Sequence, residues 1–267
     1  MNSNPESSQG LMTMEGHLEV MRKMLFRILF VILALGIVVF VFRKQTFNII
    51  LAPKDSTFVF YRGVEWLLGL VGINYHFEAF NIELISTDLS AQFMLHISTS
   101  LYVALLLASP YVVFELFRFI SPALYEDEKK YSVPIVIVVY LLFALGVLMT
   151  YYILFPFSFR FLGTYQVDDT VRNTITLSSY MSTLISMSLI MGLVFQLPVL
   201  AYILGKMGVI SYELLAEYRK WALMIILSLS AIITPPDIFT LLMVSLPLYL
   251  LYEISIIILK RIQSKSE

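Results

Sequence analysis

The sequence predicts an all-α membrane protein with six transmembrane helices. Of its 267 residues, 59% are hydrophobic and 14% are charged, and its mean hydropathy is +0.83. A soluble domain is nearer one half apolar and one quarter charged. Several apolar runs also approach the ~20 residues that a helix needs to cross a bilayer. These runs predict spans at residues 24–42, 93–117, 133–155, 181–204, 221–233 and 238–259.

The N-terminal residues predict a disordered tail, followed by an amphipathic helical segment that lies on the membrane surface and leads into the first span. Residues 1–15 predict a disordered tail, and this tail lacks the pattern of a removable signal peptide. Residues 16–27 predict an amphipathic lead-in, because apolar side chains recur there at spacings of three and four. Such a segment is typical of a helix on the membrane surface with snorkelling basic residues.

The last two spans predict a helical hairpin. The run 221–233 has 13 residues, which is short for a full hydrocarbon core. The Thr234–Asp237 turn leaves no room for a domain between this run and the next. We therefore expect the fifth span to thin the bilayer locally, to borrow its flanks, or to lie against protein.

The orientation follows from the distribution of Lys and Arg. With six spans, both termini share one side of the membrane with the loops 118–132 and 205–220. That side carries 12 of the 18 Lys and Arg residues, and the other side carries 6. Because positive residues collect on the cytoplasmic side, both termini and these two loops are predicted to be cytoplasmic.

The predicted extracytoplasmic loop, residues 43–92, contains an apolar part at residues 58–71. This part includes Tyr61 and Trp66. It predicts an interfacial helix or a cap that packs on the helix bundle, and a surface for a specific partner is a further interpretation. The sequence does not decide among the three.

The densest run of charge lies in the predicted cytoplasmic loop 118–132. Glu126, Asp127 and Glu128 are followed there by two lysines. On position alone the run is typical of a solvated loop between two spans. The alternative is a binding site at the membrane–water boundary.

Two acidic residues lie inside predicted spans. Glu115 comes three residues before Arg118, and Glu253 comes seven residues before Lys260. An ionisable group inside a span is costly and by default suggests a function. Because both lie near the predicted cytoplasmic end of their span, pairing or snorkelling is the alternative, with Arg118 as the expected partner of Glu115.

The composition argues against catalysis and cofactors. The chain has no Cys, which excludes disulfides, thiolate metal sites and cysteine nucleophiles. Its three histidines, His17, His76 and His96, lack the spacing of metal ligands, and no catalytic or nucleotide-binding motif is present. The net charge of −1 gives no general attraction for nucleic acid. We therefore expect no enzyme activity, no metal, no cofactor and no nucleic-acid partner.

The stretch Phe119–Tyr125, followed by Glu128 and two lysines, resembles the first cytoplasmic loop of the TatC family. TatC is the multi-spanning receptor subunit of the twin-arginine protein translocase. Other stretches resemble family motifs in the same order, and the resemblance covers Gly16–Lys260. It implies structural or subunit-contact roles for Pro53, Phe93, Pro122, Leu124, Tyr125, Gln196, Pro198, Pro235 and Asp237.

Two positions depart from the family pattern. Val20 stands where the family has a glutamate, and Glu19 lies one residue earlier, which turns its side chain by about 100° around a helix. Gln196 stands where the family usually has a second glutamate. A glutamine keeps the hydrogen bonds of that site but cannot carry charge. It either binds helices together or forms a polar patch that faces another subunit.

The resemblance implies a receptor in the cell inner membrane. It implies that Glu128, with Glu126, Asp127 and Glu19, binds twin-arginine signal peptides of folded proteins. It also implies small single-span subunits of the TatA or TatB type as partners, self-association in the active complex, contact with membrane lipid, and the proton-motive force as the energy source. The alternatives are a small-solute or ion transporter, and a TatC paralogue that no longer binds signal peptides.

Overall fold

The structure is a computed structural model that describes residues 14–70, 72–73, 82–120, 132–166, 168, 173–234 and 237–264. The helices in these ranges are α1 (Met14–Val41), α2 (Arg43–Leu51), α3 (Val59–Leu70), α4 (Ala91–Ile120), α5 (Ser132–Met149), α6 (Phe155–Thr164), α7 (Leu177–Val194), α8 (Leu197–Lys206), α9 (Tyr212–Glu217), α10 (Arg219–Ile233) and α11 (Ile238–Gln263). Two strands, β1 (Leu84–Ile85) and β2 (Ile175–Thr176), accompany them.

Five helical stretches of the described ranges are long and apolar enough to cross a membrane. They are Leu18–Val41, Ala91–Leu116, Ile135–Thr164, Leu177–Lys206 and Ile238–Gln263. Helix α10, at the position of the predicted fifth span, has 15 residues and packs against α11. Its shortness agrees with the expectation for the fifth span, and α10 and α11 form the predicted hairpin.

Consecutive spans run antiparallel, so the chain alternates between the two ends of the bundle. Helices α1 and α4 pack along their length, with Arg27 against Glu115 near one end and Phe40 against His96 near the other. We call the end where α1 begins the terminal side, and the opposite end the loop side. Helix α11 is the last of the alternating spans and therefore also ends on the terminal side, where Gln263 contacts the start of α9.

Helix α7 runs through the centre of the bundle and supplies much of its core. Met181, Leu184, Met187 and Met191 are almost completely buried. Helix α5 approaches α7 closely at Gly146, where a Cβ atom would lie 2.7 Å from the carbonyl oxygen of Met191. A glycine at this crossing therefore lets the two backbones meet.

The third span continues beyond its predicted end. The sequence predicted that this span ends at residue 155, and the structure shows helix beyond that point. A π-helical turn at Thr150–Leu154 leads directly into α6, which continues to Thr164. Pro156 lies in the first turn of α6, where a missing N–H costs little because the π-turn has already rearranged the hydrogen bonds.

Buried tyrosines attach a cap to the bundle on the loop side. The hydroxyl group of Tyr61, on α3, donates to the carbonyl oxygens of Pro156 at 3.0 Å and Pro53 at 3.4 Å. The hydroxyl group of Tyr180, on α7, donates to the carbonyl oxygen of Ile50 at 2.8 Å. Burial raises the pKa of Tyr61, so its hydroxyl remains a neutral donor. Of the interpretations left open for this segment, the structure thus shows a cap that packs on the bundle.

The strands β1 and β2 join the long loop to the residues before α7. They pair in parallel, with Leu84 opposite Ile175 and Ile85 opposite Thr176. The sequence did not predict them, because two residues are too few to show the alternation that identifies a strand.

Candidate functional site

A buried carboxylate joins α1 to α4 on the terminal side. The guanidinium group of Arg27 lies 2.7 Å from Oε2 of Glu115, and the hydroxyl group of Tyr111 donates to Oε1 at 3.1 Å. The side chain of Glu115 is 3% exposed. Its partner is therefore Arg27 from another span, and the expected pairing with Arg118 on its own helix is wrong.

A second ion pair joins α10 to α11 on the same side. The Nε and Nη2 atoms of Arg219 donate to the two carboxylate oxygens of Glu253 at 2.9 and 3.0 Å. Tyr249 donates to Oε1 of the same carboxylate. Tyr252 donates to the carbonyl oxygen of Leu215, in α9. These contacts hold the short helix α9 and the start of α10 against α11. Of the alternatives given for Glu253, the structure shows an ion pair.

Glu19, the candidate second carboxylate, lies in the first part of α1. Its side chain is exposed, and Oε1 lies 2.7 Å from the Nζ atom of Lys23, one turn along the helix. The helical rotation of about 100° per residue puts Val20 and Arg27 on nearly the same face, with Glu19 turned away from both. The predicted amphipathic lead-in is thus the first part of a continuous helix.

The other candidate residues for peptide binding, Glu126, Asp127 and Glu128, lie outside the described residues. The same holds for the motif positions Pro122, Leu124, Tyr125 and Pro235. The described chain stops at the end of α4 and resumes with α5. Their assignment stays a prediction.

Gln196 interrupts the fourth span. Helix α7 ends at Val194 and α8 begins at Leu197, with Pro198 buried in its first turn. The Nε2 atom of Gln196 donates to the carbonyl oxygen of Gly192 at 3.2 Å, and Oε1 is buried without a hydrogen-bond partner among the described residues. The NH₂ group of the amide thus forms a hydrogen bond within the helix break, and its carbonyl oxygen accepts none from the described residues.

Pro53, Phe93 and Asp237 occupy loop-side positions. Pro53 is buried in a 3₁₀ turn after α2, and Phe93 is exposed at the start of α4. Oδ1 of Asp237 accepts a hydrogen bond of 2.6 Å from the backbone N–H of Thr240. Asp237 therefore caps the N-terminus of α11, in agreement with its structural interpretation.

The hydrogen bond from Thr240 to Asp237 at the N-terminus of α11 can be tested by substitution. Replacement of Asp237 with Ala is expected to lower the free energy of unfolding by about 1 kcal/mol, because one N–H of the first turn loses its acceptor. Replacement with Ser, which also caps helices, is expected to preserve most of that stability. Thermal unfolding of the purified variants in detergent measures both, and equal losses in the two variants would contradict the capping role.

His96 is a satisfied polar residue. Its ring stacks on Phe40 with centroids 3.9 Å apart, and Nε2 lies 3.1 Å from the carbonyl oxygen of Phe40. Within the described ranges, no cluster of three or more His, Cys, Asp or Glu side chains is placed to hold a metal ion.

The comparisons with known proteins agree on one family. The sequence profile described as Sec-independent protein translocase protein (TatC) matches residues 16–247. This chain belongs to the TatC family. It is 36% identical over 246 residues to TatC of Blattabacterium sp. subsp. Periplaneta americana (strain BPLAN), covering 91% of this chain and 92% of that protein. It is 33% identical over 242 residues to TatC of Desulforapulum autotrophicum (strain ATCC 43914 / DSM 3382 / VKM B-1955 / HRM2), covering 90% and 82%.

Solved structures show the same fold. A crystal structure of the twin-arginine translocase receptor TatC matches with a TM-score of 0.70 and 31% identity, covering 91% of this chain and 98% of that chain. A second crystal structure of the receptor, in DDM, matches with a TM-score of 0.72. The predicted all-α fold with six transmembrane helices is confirmed, and the chain is a multi-pass membrane protein of a translocase family.

The roles of Arg27 and Tyr111 were not predicted from the sequence. A usable signal was present, since Arg27 and Glu115 are charged residues near the same predicted face of the membrane, on neighbouring spans. Burial in hydrocarbon forces such groups to pair. The choice of Arg27 over Arg118 depends on the rotation of α1 against α4, which the sequence does not reveal.

Proposed function

We propose that this chain is the core receptor of a twin-arginine translocase. In this role it binds twin-arginine signal peptides of folded proteins at the cytoplasmic face and nucleates the transport complex, and the proton-motive force drives transport. Membership of the TatC family supports this function over a small-solute or ion transporter. The likeness to crystal structures of a twin-arginine translocase receptor supports the receptor role.

The observation that carries the peptide site is the ion pair between Arg27 and Glu115. It ties the first part of α1 to the last part of α4. Glu19 lies eight residues before Arg27, about 12 Å along the helix axis. The segment with Glu128 follows directly on the end of α4 at Ile120. The helix that carries Glu19 and the end of α4, from which the sequence continues to Glu128, therefore lie together on the terminal side, which supports a shared site.

Carboxylates at this position suit a pair of arginines. Each guanidinium group can donate two parallel hydrogen bonds to one carboxylate, as Arg219 donates to Glu253 within the chain. The ammonium group of lysine lacks this geometry. Because exposed ion pairs contribute little, we infer that the bound peptide is partly buried and that its hydrophobic segment lies along the helices.

Photocrosslinking of a synthetic twin-arginine signal peptide to the full chain in membranes tests the site. We expect Glu128→Gln to reduce the crosslink about tenfold, since the loss of one bidentate ion pair is worth roughly a factor of ten in binding. We expect a smaller loss for Glu19→Gln, because Glu19 is already paired with Lys23.

The controls separate this site from general negative charge. Glu213→Gln removes an exposed carboxylate of α9 on the same side of the bundle and is expected to leave the crosslink unchanged. A twin-lysine peptide is expected to crosslink weakly. Equal crosslinking of both peptides to the wild-type chain, or none at all, would contradict receptor function and favour the paralogue that no longer binds signal peptides.

The remaining partners and the orientation belong to the same proposal. We assign the chain to the cell inner membrane with both termini in the cytoplasm, which the excess of Lys and Arg on the terminal side supports. Small single-span subunits of the TatA or TatB type pack on the outer helices, and further copies of the chain join the active complex. The side chain of Gln196 is partly exposed at the break in the fourth span, where we propose a contact with another subunit.

A further inference from the structure

Helix α3 has two apolar faces, and the bundle covers one of them. Tyr61 is buried, and Val64 and Leu68 are partly buried, on the face that is turned to the bundle. Residues on the opposite face recur at spacings of three and four, which is the period of one helix side. Its large side chains are each more than half exposed: Val59, Trp66, Leu67 and Leu70. A helix of the long loop thus presents an unpartnered apolar stripe.

The depth of α3 follows from its attachment to the third span. A helix that enters the hydrocarbon at Ile135 crosses the ~30 Å core in about 20 residues, near Leu154. The anchoring hydroxyl of Tyr61 bonds the carbonyl of Pro156, just beyond this point. The apolar stretch of α1 ends at Val41, shortly before α2. Two spans therefore locate the start of α3 at the membrane boundary.

The start of α3 also contacts an outward-facing aromatic residue of the third span. Phe58, which precedes α3, stacks on Tyr152 with ring centroids 5.8 Å apart, and Tyr152 is itself exposed on the outside of the third span. Aromatic rings at this level are typical of a membrane interface. Arg43 and Lys44, at the start of α2, are exposed at the same boundary and suit phosphate headgroups.

Charged residues are confined to one flank of α3. The helical rotation puts Arg62 and Glu65 beside each other, at the edge of the stripe and away from Leu67. Above Gly63, where a Cβ atom would meet no neighbour within 4 Å, the surface forms a shallow depression between Val59 and Trp66. The helix therefore combines an apolar face with a charged edge, the pattern of helices that lie in the headgroup region.

We propose that α3 is a membrane-anchoring helix whose stripe of Val59, Gly63, Trp66, Leu67 and Leu70 lies among the lipid headgroups and upper acyl chains on the loop side. The lipid then covers the face that the bundle leaves bare. Arg62 reaches the headgroup phosphates from the flank. This contact fixes the cap against the membrane as well as against the bundle.

The chain offers a direct reporter, because it contains only two tryptophans, Trp66 and Trp221. The Trp221→Phe variant of the full chain, reconstituted into phosphatidylcholine vesicles, leaves Trp66 as the single indole. Lipids brominated near the headgroup are expected to reduce its emission by about half, and lipids brominated near the chain ends to reduce it less. Iodide in the water is expected to quench it weakly.

A matched pair of substitutions isolates the stripe. Leu67→Glu puts a charge into the stripe and is expected to increase iodide quenching of Trp66 about twofold. Gly69→Glu puts the same charge on the flank that carries Arg62 and is expected to change nothing. If iodide strongly quenched Trp66 in the Trp221→Phe variant and brominated lipid did not, the proposal would be overturned.

A second copy of the chain is the competing occupant of the stripe. In that case Trp66 is shielded from both brominated lipid and iodide, and its emission changes with the ratio of protein to lipid. This result would also overturn the proposal. The reciprocal variant, Trp66→Phe, reports Trp221 at the start of α10 and shows that the quenchers reach an exposed indole of the same protein.

Discussion

Replacement of Arg27 with Ala is expected to lower the melting temperature of the protein by roughly 5 °C or more. The carboxylate of Glu115 is buried, and without Arg27 it keeps one neutral donor, Tyr111. Arg27 is itself 46% exposed, but its removal leaves the buried charge of Glu115 in an apolar environment, which costs more than the pair itself contributes. Thermal unfolding of the purified chain in detergent, followed by intrinsic fluorescence, measures the loss.

A double substitution distinguishes the lost pair from lost packing. Glu115→Gln in the Arg27→Ala background is expected to restore most of the stability, since the amide oxygen still accepts from Tyr111 and carries no charge. Lys23→Ala breaks the exposed pair with Glu19 and is expected to shift the melting temperature by less than about 1 °C. Equal losses in Arg27→Ala and Lys23→Ala would contradict a structural role for the buried pair.

The same variants connect the pair to the proposed receptor function. Because Arg27 and Glu115 hold α1 against α4, separating these helices moves Glu19 relative to the end of α4, from which the sequence continues to Glu128. We therefore expect weaker signal-peptide crosslinking in Arg27→Ala and recovery in the double variant. Neither residue needs to touch the peptide for this effect.

The transmembrane helices were predictable from sequence because the bilayer imposes one simple requirement. A span needs about 20 apolar residues, and runs of that length stand out in the chain. The short run of α10 was equally visible, as was the tight turn that pairs it with α11. The structural role implied for Asp237 is that of a helix cap, and an aspartate directly before an apolar helix is a common cap.

Features that depend on the relative rotation and spacing of helices were not predictable. The π-helical turn before Pro156 keeps the third span helical where proline normally indicates an end. The pairing of Glu115 with Arg27 depends on which face of α1 meets α4. For the candidate peptide site, the resemblance supplied Glu128, and position alone left the acidic run as an ordinary solvated loop.

Gly146 marks the site where a single methyl group is expected to have the largest effect on packing. A Cβ atom there would lie 2.7 Å from the carbonyl oxygen of Met191 and 3.0 Å from Cγ of Phe195. Because the first of these atoms belongs to the backbone of α7, no side-chain rotation relieves the contact. We expect Gly146→Ala to push α5 away from α7, at a cost of about 1–3 kcal/mol in the free energy of unfolding.

Alanine substitutions at two further glycines, Gly192 and Gly69, are expected to cause smaller losses of stability than Gly146→Ala. At Gly192 the added Cβ would meet the ring of Phe143 at 2.7 Å, and a ring that can turn makes the expected loss smaller. At Gly69 it would meet nothing within 4 Å, so Gly69→Ala is expected to leave stability unchanged or to raise it by up to ~1 kcal/mol through helix propensity. Thermal unfolding of the three variants measures the order. If Gly146→Ala were as stable as Gly69→Ala, α5 and α7 would not meet at this glycine.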